Sequence, residues 1–400
     1  MNEVICCLNK KIHCMLCIGI TLKREVNMKR KSTFCYVTLA IFLTFFVSCS
    51  QDDGIVDQST LKGASVHGNI HADKKGNVNV TVTEFASNIA YPRGIKFGPD
   101  GDLYVATAGT GGSTTTTCVQ VIPPVGPYAG GNTASILKIS PEGDVTTVAD
   151  QLPSDINAMG FTMGVADVEF IGNTLYALLV AGCSHGNPDY PSSVIKVNGD
   201  GTWSVVADLS DYMANHPVAA PEEDDFEPDG TPYGMVNVRG ALYAIEANHG
   251  ELVKITTSGM ITRVLDFSAH FGHVVPTSVS YHGNFYVGNL GTFPLVQGSS
   301  NIYKVTPGGE VTIWAKNFTG VLGVAFDSQH RMYVLETSAG GGPIPMTGRV
   351  VRVNNDDSRD VIVDNLFFPT AMTFGPDGAL YIANMGFGPP TGQILKVAFN

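Results

Sequence analysis

The stretch Pro369–Asn384, PTAMTFGPDGALYIAN, decides the fold, because the chain has used it once already: Pro92–Thr107 reads PRGIKFGPDGDLYVAT. Each copy is an apolar run, a Gly-Pro-Asp-Gly reversal and a second run ending in Leu-Tyr-(Val/Ile)-Ala, the pattern of two strands joined by a tight turn. Degenerate copies lie between them. Aligning on the Leu-Tyr core gives anchors at Leu103, Leu175, Leu242, Phe285, Met332 and Leu380, each followed by a tyrosine. The last three spacings are 43, 47 and 48 residues, within the roughly 40–50 of a four-stranded propeller blade. The first two, 72 and 67, imply insertions.

A second hairpin follows the Leu-Tyr strand in the first five units: residues 135–150, 193–208, 251–266, 301–316 and 348–364 all alternate apolar and polar around a Gly or Asn/Asp turn. Period-two alternation without helical periodicity reads as all-β. Six units of two hairpins make a six-bladed β-propeller, whose radial repetition leaves only short sheet edges. The last unit stops one strand short, after QILKVAFN. The missing strand is available at residues 77–85, NVNVTVTEF, and is expected to pair with Ile394–Ala398, since an open edge invites aggregation.

In such a meander the first-to-second and third-to-fourth turns share one face, and the second-to-third loops and blade links share the other. The turns on the first face are minimal. The long segments Ala108–Ala134, Ala181–Ser192 and Asp211–Asp229, with the shorter Gly291–Ser300 and Ser338–Thr347, all fall on the opposite face. Loops of such length are unusual and often functional, so this is the expected working face. The innermost strands begin there near Arg93, Asp167, Tyr233, Thr277, Leu322 and Thr370. The second strands end there at Thr107, Leu179, Glu246, Asn289, Glu336 and Asn384. Glu246, Asn289, Glu336 and Asn384 carry oxygens that suit a hard cation or a sugar hydroxyl, or that satisfy backbone N–H groups of neighbouring segments. Tyr128, Tyr233 and Phe293 offer rings to a sugar or aromatic ligand, or pack locally.

The linker Pro221–Gly230, PEEDDFEPDG, concentrates acid. Asp224, Asp225, Glu227 and Asp229 are candidate Ca²⁺ ligands, although the spacing is not that of an EF-hand and acidic runs are commonly just solvated. His270 and His273 lack the further ligands of a zinc site. Neither Gly-x-Ser-x-Gly nor His-Glu-x-x-His occurs, and Gly109–Gly112 and Gly340–Gly342 do not open helices, so they are loop hinges and not phosphate cradles.

The N-terminus reads as an address. Met28-Lys29-Arg30-Lys31 is a basic start, Phe34–Val47 an apolar run short for a transmembrane helix, and Phe46-Val47-Ser48-Cys49 resembles a bacterial lipobox. A plain cleaved signal or an uncleaved anchor is the alternative. Residues 1–48 are therefore expected to be an upstream extension plus signal, Cys49 the lipidated residue, 49–76 a flexible tether and 77–400 the propeller. The acid after Cys49 resembles surface-export signals of Bacteroidetes lipoproteins, which implies an outer-membrane lipoprotein, periplasmic or surface-exposed. Removing 1–48 takes away seven of 24 basic and two of 36 acidic residues, leaving 17 against 34 and a formal charge of −17. A body so acidic repels phosphate backbones, so nucleic acid is not an expected partner, and membrane contact is through lipid alone. Cys118 and Cys183, in neighbouring insertions, are expected to form a disulfide, worth about 2–4 kcal/mol in such loops.

The order of motifs resembles the ScyD/ScyE family of six-bladed propellers, related to TolB-, NHL-repeat and gluconolactonase-like proteins. The matching stretches are PRGIKFGPDGDLYVATAGTGG, ADVEFIGNTLYAL, TPYGM, VPTSV, NLGTFPLVQGSSNIYKVTPGG and PTAMTFGPDGALYIANMG, with Cys118 between the first two. The resemblance spans about residues 77–400 and implies an exported propeller without an assigned activity. A gluconolactonase-like site would imply a divalent ion at the channel. Glu246, Asn289 and Asn384 match that only by chemical type, and Arg93 stands where such enzymes place a first-strand glutamate.

The sequence therefore favours a lipid-anchored extracytoplasmic propeller that binds a small molecule, glycan or protein on its loop-rich face without catalysis. One alternative is a metal-dependent lactonase or hydrolase using Asp167, Glu246, Asn289 and Glu336; another is a structural envelope component. Cys49→Ala should abolish globomycin-sensitive processing in the producing cell, whereas a soluble periplasmic product from the unaltered chain would reject the lipid anchor.

Overall fold

A computed structural model describes residues 78–400 apart from 124, 224 and 225; Cys49, the segments 1–48 and 49–76, and Asp224 and Asp225 lie outside the described residues. Six antiparallel sheets follow one another along the chain. Blade 1 holds Pro92–Phe97, Leu103–Thr107, Ala129–Ile139, Val145–Ile156 and a fifth short strand, Thr162–Met163. Blade 2 spans Val165–Asp208, blade 3 Pro232–Asp266, blade 4 Pro276–Phe318 and blade 5 Val321–Leu366, four strands each. Blade 6 takes Ala371–Phe374, Leu380–Asn384 and Gly392–Phe399 from the C-terminal end and Val80–Ile89 from the other.

That last pairing closes the ring as expected, and it is longer than the sequence suggested. Val80 faces Phe399, Glu84 faces Leu395, and after two register shifts Ile89 faces Gly392. Val78, Val80 and Val82 pack toward blade 5, against the cluster containing Tyr333 and Leu335. Past the first shift the strand serves the other side: Ala86 and Ile89 lie with Ile95 and Leu103 of blade 1.

The Leu-Tyr repeat has a direct physical meaning. Successive side chains of a strand point to opposite faces, so the apolar anchor packs on the preceding blade and the tyrosine on the following one. Leu175 joins blade 1's cluster and Tyr176 blade 3's; Phe285 joins blade 3's and Tyr286 blade 5's; Leu380 joins blade 5's and Tyr381 blade 1's. Six apolar clusters thus fill six blade interfaces. The aspartate of the Gly-Pro-Asp-Gly turn belongs to the same unit: the Tyr104 and Tyr381 hydroxyls donate to Asp100 and Asp377 at 2.9 and 3.0 Å. The turn closes through Gly101 N–H to Gly98 C=O and Gly378 N–H to Gly375 C=O, both 3.0 Å, and its last glycine sits at φ +87° or +76°, where a Cβ is strained.

The all-β reading omits two short helices, Leu209–Asn215 and Ser268–Phe271, both in blade links. The first begins where the Asp208 side chain accepts the Asp211 N–H at 2.8 Å; at seven residues it is too brief to show a period. Deleting residues 77–85 should give insoluble protein or one whose melting transition is lost, because it strips the outer strand from blade 6; unchanged melting would overturn the closure.

Candidate functional site on the loop-rich face

The long segments lie on the face that strand parity selects, and two of them meet. Blade 1's outer hairpin continues past the predicted 135–150 limits to Ala129 and Ile156, and Asp155 and Ile156 pair onward with Met163 and Thr162. Blade 2's loop docks on it so closely that a Cβ on Gly130 would lie 2.1 Å from the Gly186 carbonyl oxygen. Gly186 itself has φ +73°, so neither position tolerates a side chain. The expected Cys118–Cys183 disulfide ties the same two segments.

Beneath this contact lies a buried polar network absent from the sequence reading. His185 is fully buried; Nδ1 is 2.8 Å from Asp155 Oδ2 and Nε2 is 3.1 Å from the Gly230 carbonyl. Both ring nitrogens face acceptors, so both must donate, which is the imidazolium form. Burial opposes that charge, but Asp155, with Glu227 and Asp229 further off, overcomes it and holds the ring's pKa up to about 9. Burial likewise raises the Asp155 carboxyl, with His185 pulling it back. Glu227, 6% exposed, accepts from the Tyr128 hydroxyl at 2.5 Å and from the Thr231 hydroxyl. Asp229 accepts both the N–H and the hydroxyl of Ser184 at 2.8 and 2.7 Å. The acidic linker therefore turns two of its carboxylates inward as hydrogen-bond acceptors.

The candidates at the channel mouth mostly tie blades together. Arg93 is buried; its guanidinium donates to the Gly386 carbonyl and, at 2.6 Å, to the Thr162 carbonyl, and lies 4.2 Å from the Phe387 ring centroid. Asp167 accepts from Met235 N–H of blade 3 and its own neighbour Val168, each at 2.8 Å; burial raises its carboxyl to about 7 against the pull of those bonds. Thr277 donates to the Val321 carbonyl of blade 5 at 2.6 Å, and Thr370 to the Pro92 carbonyl of blade 1 at 2.8 Å. The second-strand ends hold the links that enter their blades. Glu246 accepts from Thr231, Asn248 and His249 N–H at 2.7, 3.0 and 2.6 Å and lies 3.0 Å from His249 Nδ1. Glu336 accepts from Thr319 N–H at 2.7 Å and Arg349 Nε at 2.6 Å. Asn289 bridges Asn301 N–H and the Val274 carbonyl at 2.7 and 2.8 Å, and Asn384 accepts Phe367 N–H at 3.0 Å. These acceptors are engaged in holding links and blades, and among the described residues no group of three or more His, Cys, Asp or Glu is placed to hold a metal ion.

Tyr233 behaves differently. Its hydroxyl is buried without a hydrogen-bond partner, and burial raises it to about 12, with Arg93 opposing and Asp167 assisting. Tyr233 and Thr277 line two compartments. On one side the innermost strands of all six blades enclose about 330 Å³. On the other, a cavity of about 150 Å³ opens among the long segments. Tyr128, Phe161, Tyr233, Phe293, Phe368 and Phe387 line it, with Met159 and Met163 among the other apolar groups. Phe161 of blade 1's extension meets Phe293 of blade 4 and Phe387 of blade 6, with centroids 6.4 and 5.5 Å apart, so the cavity sits over the propeller axis. The three aromatic residues singled out in the sequence all reach it. Asn157, Phe161 and Phe387 escaped notice because no local pattern marks them.

No protein-family model matches the sequence, and no curated protein matches it. Solved structures do share the fold. A protein of unknown function from Bacteroides thetaiotaomicron superposes with TM-score 0.53 at 12% identity, covering 80% of this chain and 76% of its own. A gluconolactonase, XC5397 from Xanthomonas campestris, gives 0.50 at 11%, covering 80% and 90%. A putative gluconolactonase gives 0.50 at 11%, covering 81% and 93%. At such identities the likeness is one of fold: a six-bladed propeller with gluconolactonase-like neighbours.

His185→Ala should cost about 3–5 kcal/mol, since it strands a buried partner charge. The imidazolium is held above its ordinary 6.5, so its contribution is complete below that pH and is lost as pH rises through about 9. The gap between wild-type and variant urea midpoints should therefore narrow between about pH 6 and about pH 9; a gap that widens would contradict the charged pair.

Proposed function

We propose that this chain is an exported, lipid-anchored propeller of the ScyD/ScyE kind that holds a small ligand in the cavity over its axis and does not transform it. The aromatic-lined cavity carries the reading: it lies where parity places the elaborated loops, and residues from blades 1, 3, 4, 5 and 6 or their links converge on it. A concave apolar site with a few polar groups is the usual form of a small-molecule site. Its size suits one ring, being comparable to cavities that take benzene. Binding is favoured over metal-dependent lactone hydrolysis because Glu246 and Glu336 spend oxygens on the links entering their blades and on Arg349, and Asn289 spends its own on the Asn301 N–H of the next strand. The lipobox-like Cys49 supports placement in the bacterial envelope.

Indole is a suitable neutral probe. Ligand-observed NMR should detect its binding to the mature protein, and Phe293→Ala should weaken it roughly three- to tenfold through loss of an aromatic contact. Phe293 is 47% exposed, so the fold should survive the change. Indole binding untouched by both Phe293→Ala and Phe161→Ala would place the ligand elsewhere.

A further inference from the structure

We propose that the ligand of this cavity is an uncharged ring compound bearing a carbonyl oxygen, an acceptor for the Asn157 amide and for the Tyr233 and Thr337 hydroxyls. The inference rests on the binding reading above and adds the ligand's chemical class. Most polar groups of the wall are already spent. The Thr231 hydroxyl donates to Glu227, that of Thr277 to the Val321 carbonyl at 2.6 Å, and that of Ser338 to the Gly342 carbonyl at 2.8 Å. The Glu227 carboxylate accepts from Tyr128 and Thr231 and faces the His185 imidazolium, Nε2 to Oε2 4.0 Å, so its charge is balanced within the protein. No lysine or arginine is among the described lining residues. A ligand ion would therefore shed its water without gaining a counter-charge, which is costly in an enclosed apolar space.

Three lining groups keep a bond to give. Asn157 is 7% exposed, and its Oδ1 accepts the Met159 and Phe161 N–H at 3.0 and 2.9 Å. Those two bonds identify the oxygen end of the amide, so what Asn157 offers the cavity is its N–H₂, which can only donate. Nothing among the described residues accepts from it. The hydroxyls of Tyr233 and Thr337 are buried and have no hydrogen-bond partner. Burial holds the Tyr233 phenol up to about 12, so it remains a donor at neutral pH. The three groups come from blade 1's extension, the innermost strand of blade 3 and the loop after Glu336 of blade 5. A buried hydroxyl whose bond is unmade costs about 1–3 kcal/mol, and a ligand acceptor would recover it. A carbonyl oxygen can accept two such bonds and brings no proton of its own to satisfy. A ligand hydroxyl would add a further proton, and a plain hydrocarbon ring would leave all three donors as they are.

Three flat probes of one shape decide the matter by ligand-observed NMR titration of the mature protein. They are acetophenone, α-methylstyrene, which has a methylene in place of the carbonyl oxygen, and benzoate, which carries a carboxylate. Acetophenone should bind roughly three- to tenfold more tightly than α-methylstyrene, the worth of one hydrogen bond. A cavity without donors would rank them the other way, because the hydrocarbon leaves water more readily. Benzoate should bind roughly tenfold or more weakly than acetophenone. Tyr233→Phe, Thr337→Val and Asn157→Asp each remove a donor at nearly constant shape, and the last keeps an oxygen for the Met159 and Phe161 N–H. At least one of them should abolish acetophenone's advantage while α-methylstyrene changes less than about twofold. Tyr233→Phe removes a hydroxyl without a partner, so that variant should keep the fold. Three outcomes would overturn the carbonyl assignment and leave the binding reading standing: α-methylstyrene matching or exceeding acetophenone, benzoate binding tightest, or an advantage that survives all three variants. Failure of all three probes to bind would overturn the site itself.

Discussion

The pairing of Val80–Ile89 with Gly392–Phe399 is the constraint on which the molecule depends. Each blade buries one row of its second strand against the preceding neighbour and the alternate row against the following one. Five of the six interfaces can form between consecutive segments, but the sixth, between blades 6 and 1, exists only when Val80–Ile89 meets Gly392–Phe399. Without it Leu103, Ile95 and Tyr381 would lose the cluster that buries them. Closing a loop of this length costs little more than closing one half as long, because the entropy grows only logarithmically. What the closure secures is a continuous ring of apolar interfaces in place of two open flanks.

Closure also explains why one face carries the long loops. An antiparallel meander that returns to the same axis six times sends all second-to-third loops and links to one side. Insertions there can reach over the axis and touch insertions from the far side of the disc, as Phe161 of blade 1 touches Phe293 of blade 4. The opposite turns are held short by their own chemistry: where the turn aspartate secures the tyrosine of the next strand, lengthening would break a contact that the blade packing uses.

The sequence displayed the blade number, the closing strand, the disulfide and the side on which the long loops lie, because all of these follow from period, parity and residue type. It did not display the contents of the site. The outer hairpin of blade 1 reads as ending near Asp150 because Gln151-Leu152-Pro153 interrupts the alternation. It continues because Ala129–Gly131 pairs with Ser154–Ile156 across the gap, and only that extension delivers Asp155, Asn157 and Phe161. In the acidic linker, Glu227 looks like its solvated neighbours until Tyr128, distant in sequence, donates to it. Glu246, Asn289, Glu336 and Asn384 were legible as a ring of oxygens, but chemical type alone does not say whether an oxygen faces a ligand or the backbone of a link.

Long loops on a β scaffold carry little apolar surface and many backbone polar groups, and each of those left unpaired in the interior costs about 1–3 kcal/mol. Here the disulfide, the Gly130–Gly186 approach and the Asp155–His185–Gly230 chain hold loops that give only a few side chains, such as Ala134, Ala181 and Met213, to the hydrophobic clusters. Such a network is costly when half made, because each charge left behind is buried without its counter-charge. It is also directional. His185 satisfies both nitrogens only if blade 1's hairpin and the link entering blade 3 stand in one relation to each other. That relation fixes the positions of Glu227, Thr231 and Phe161 around the cavity. The polar interior beneath the loops therefore sets the shape of the apolar space above it, and the two are one construction.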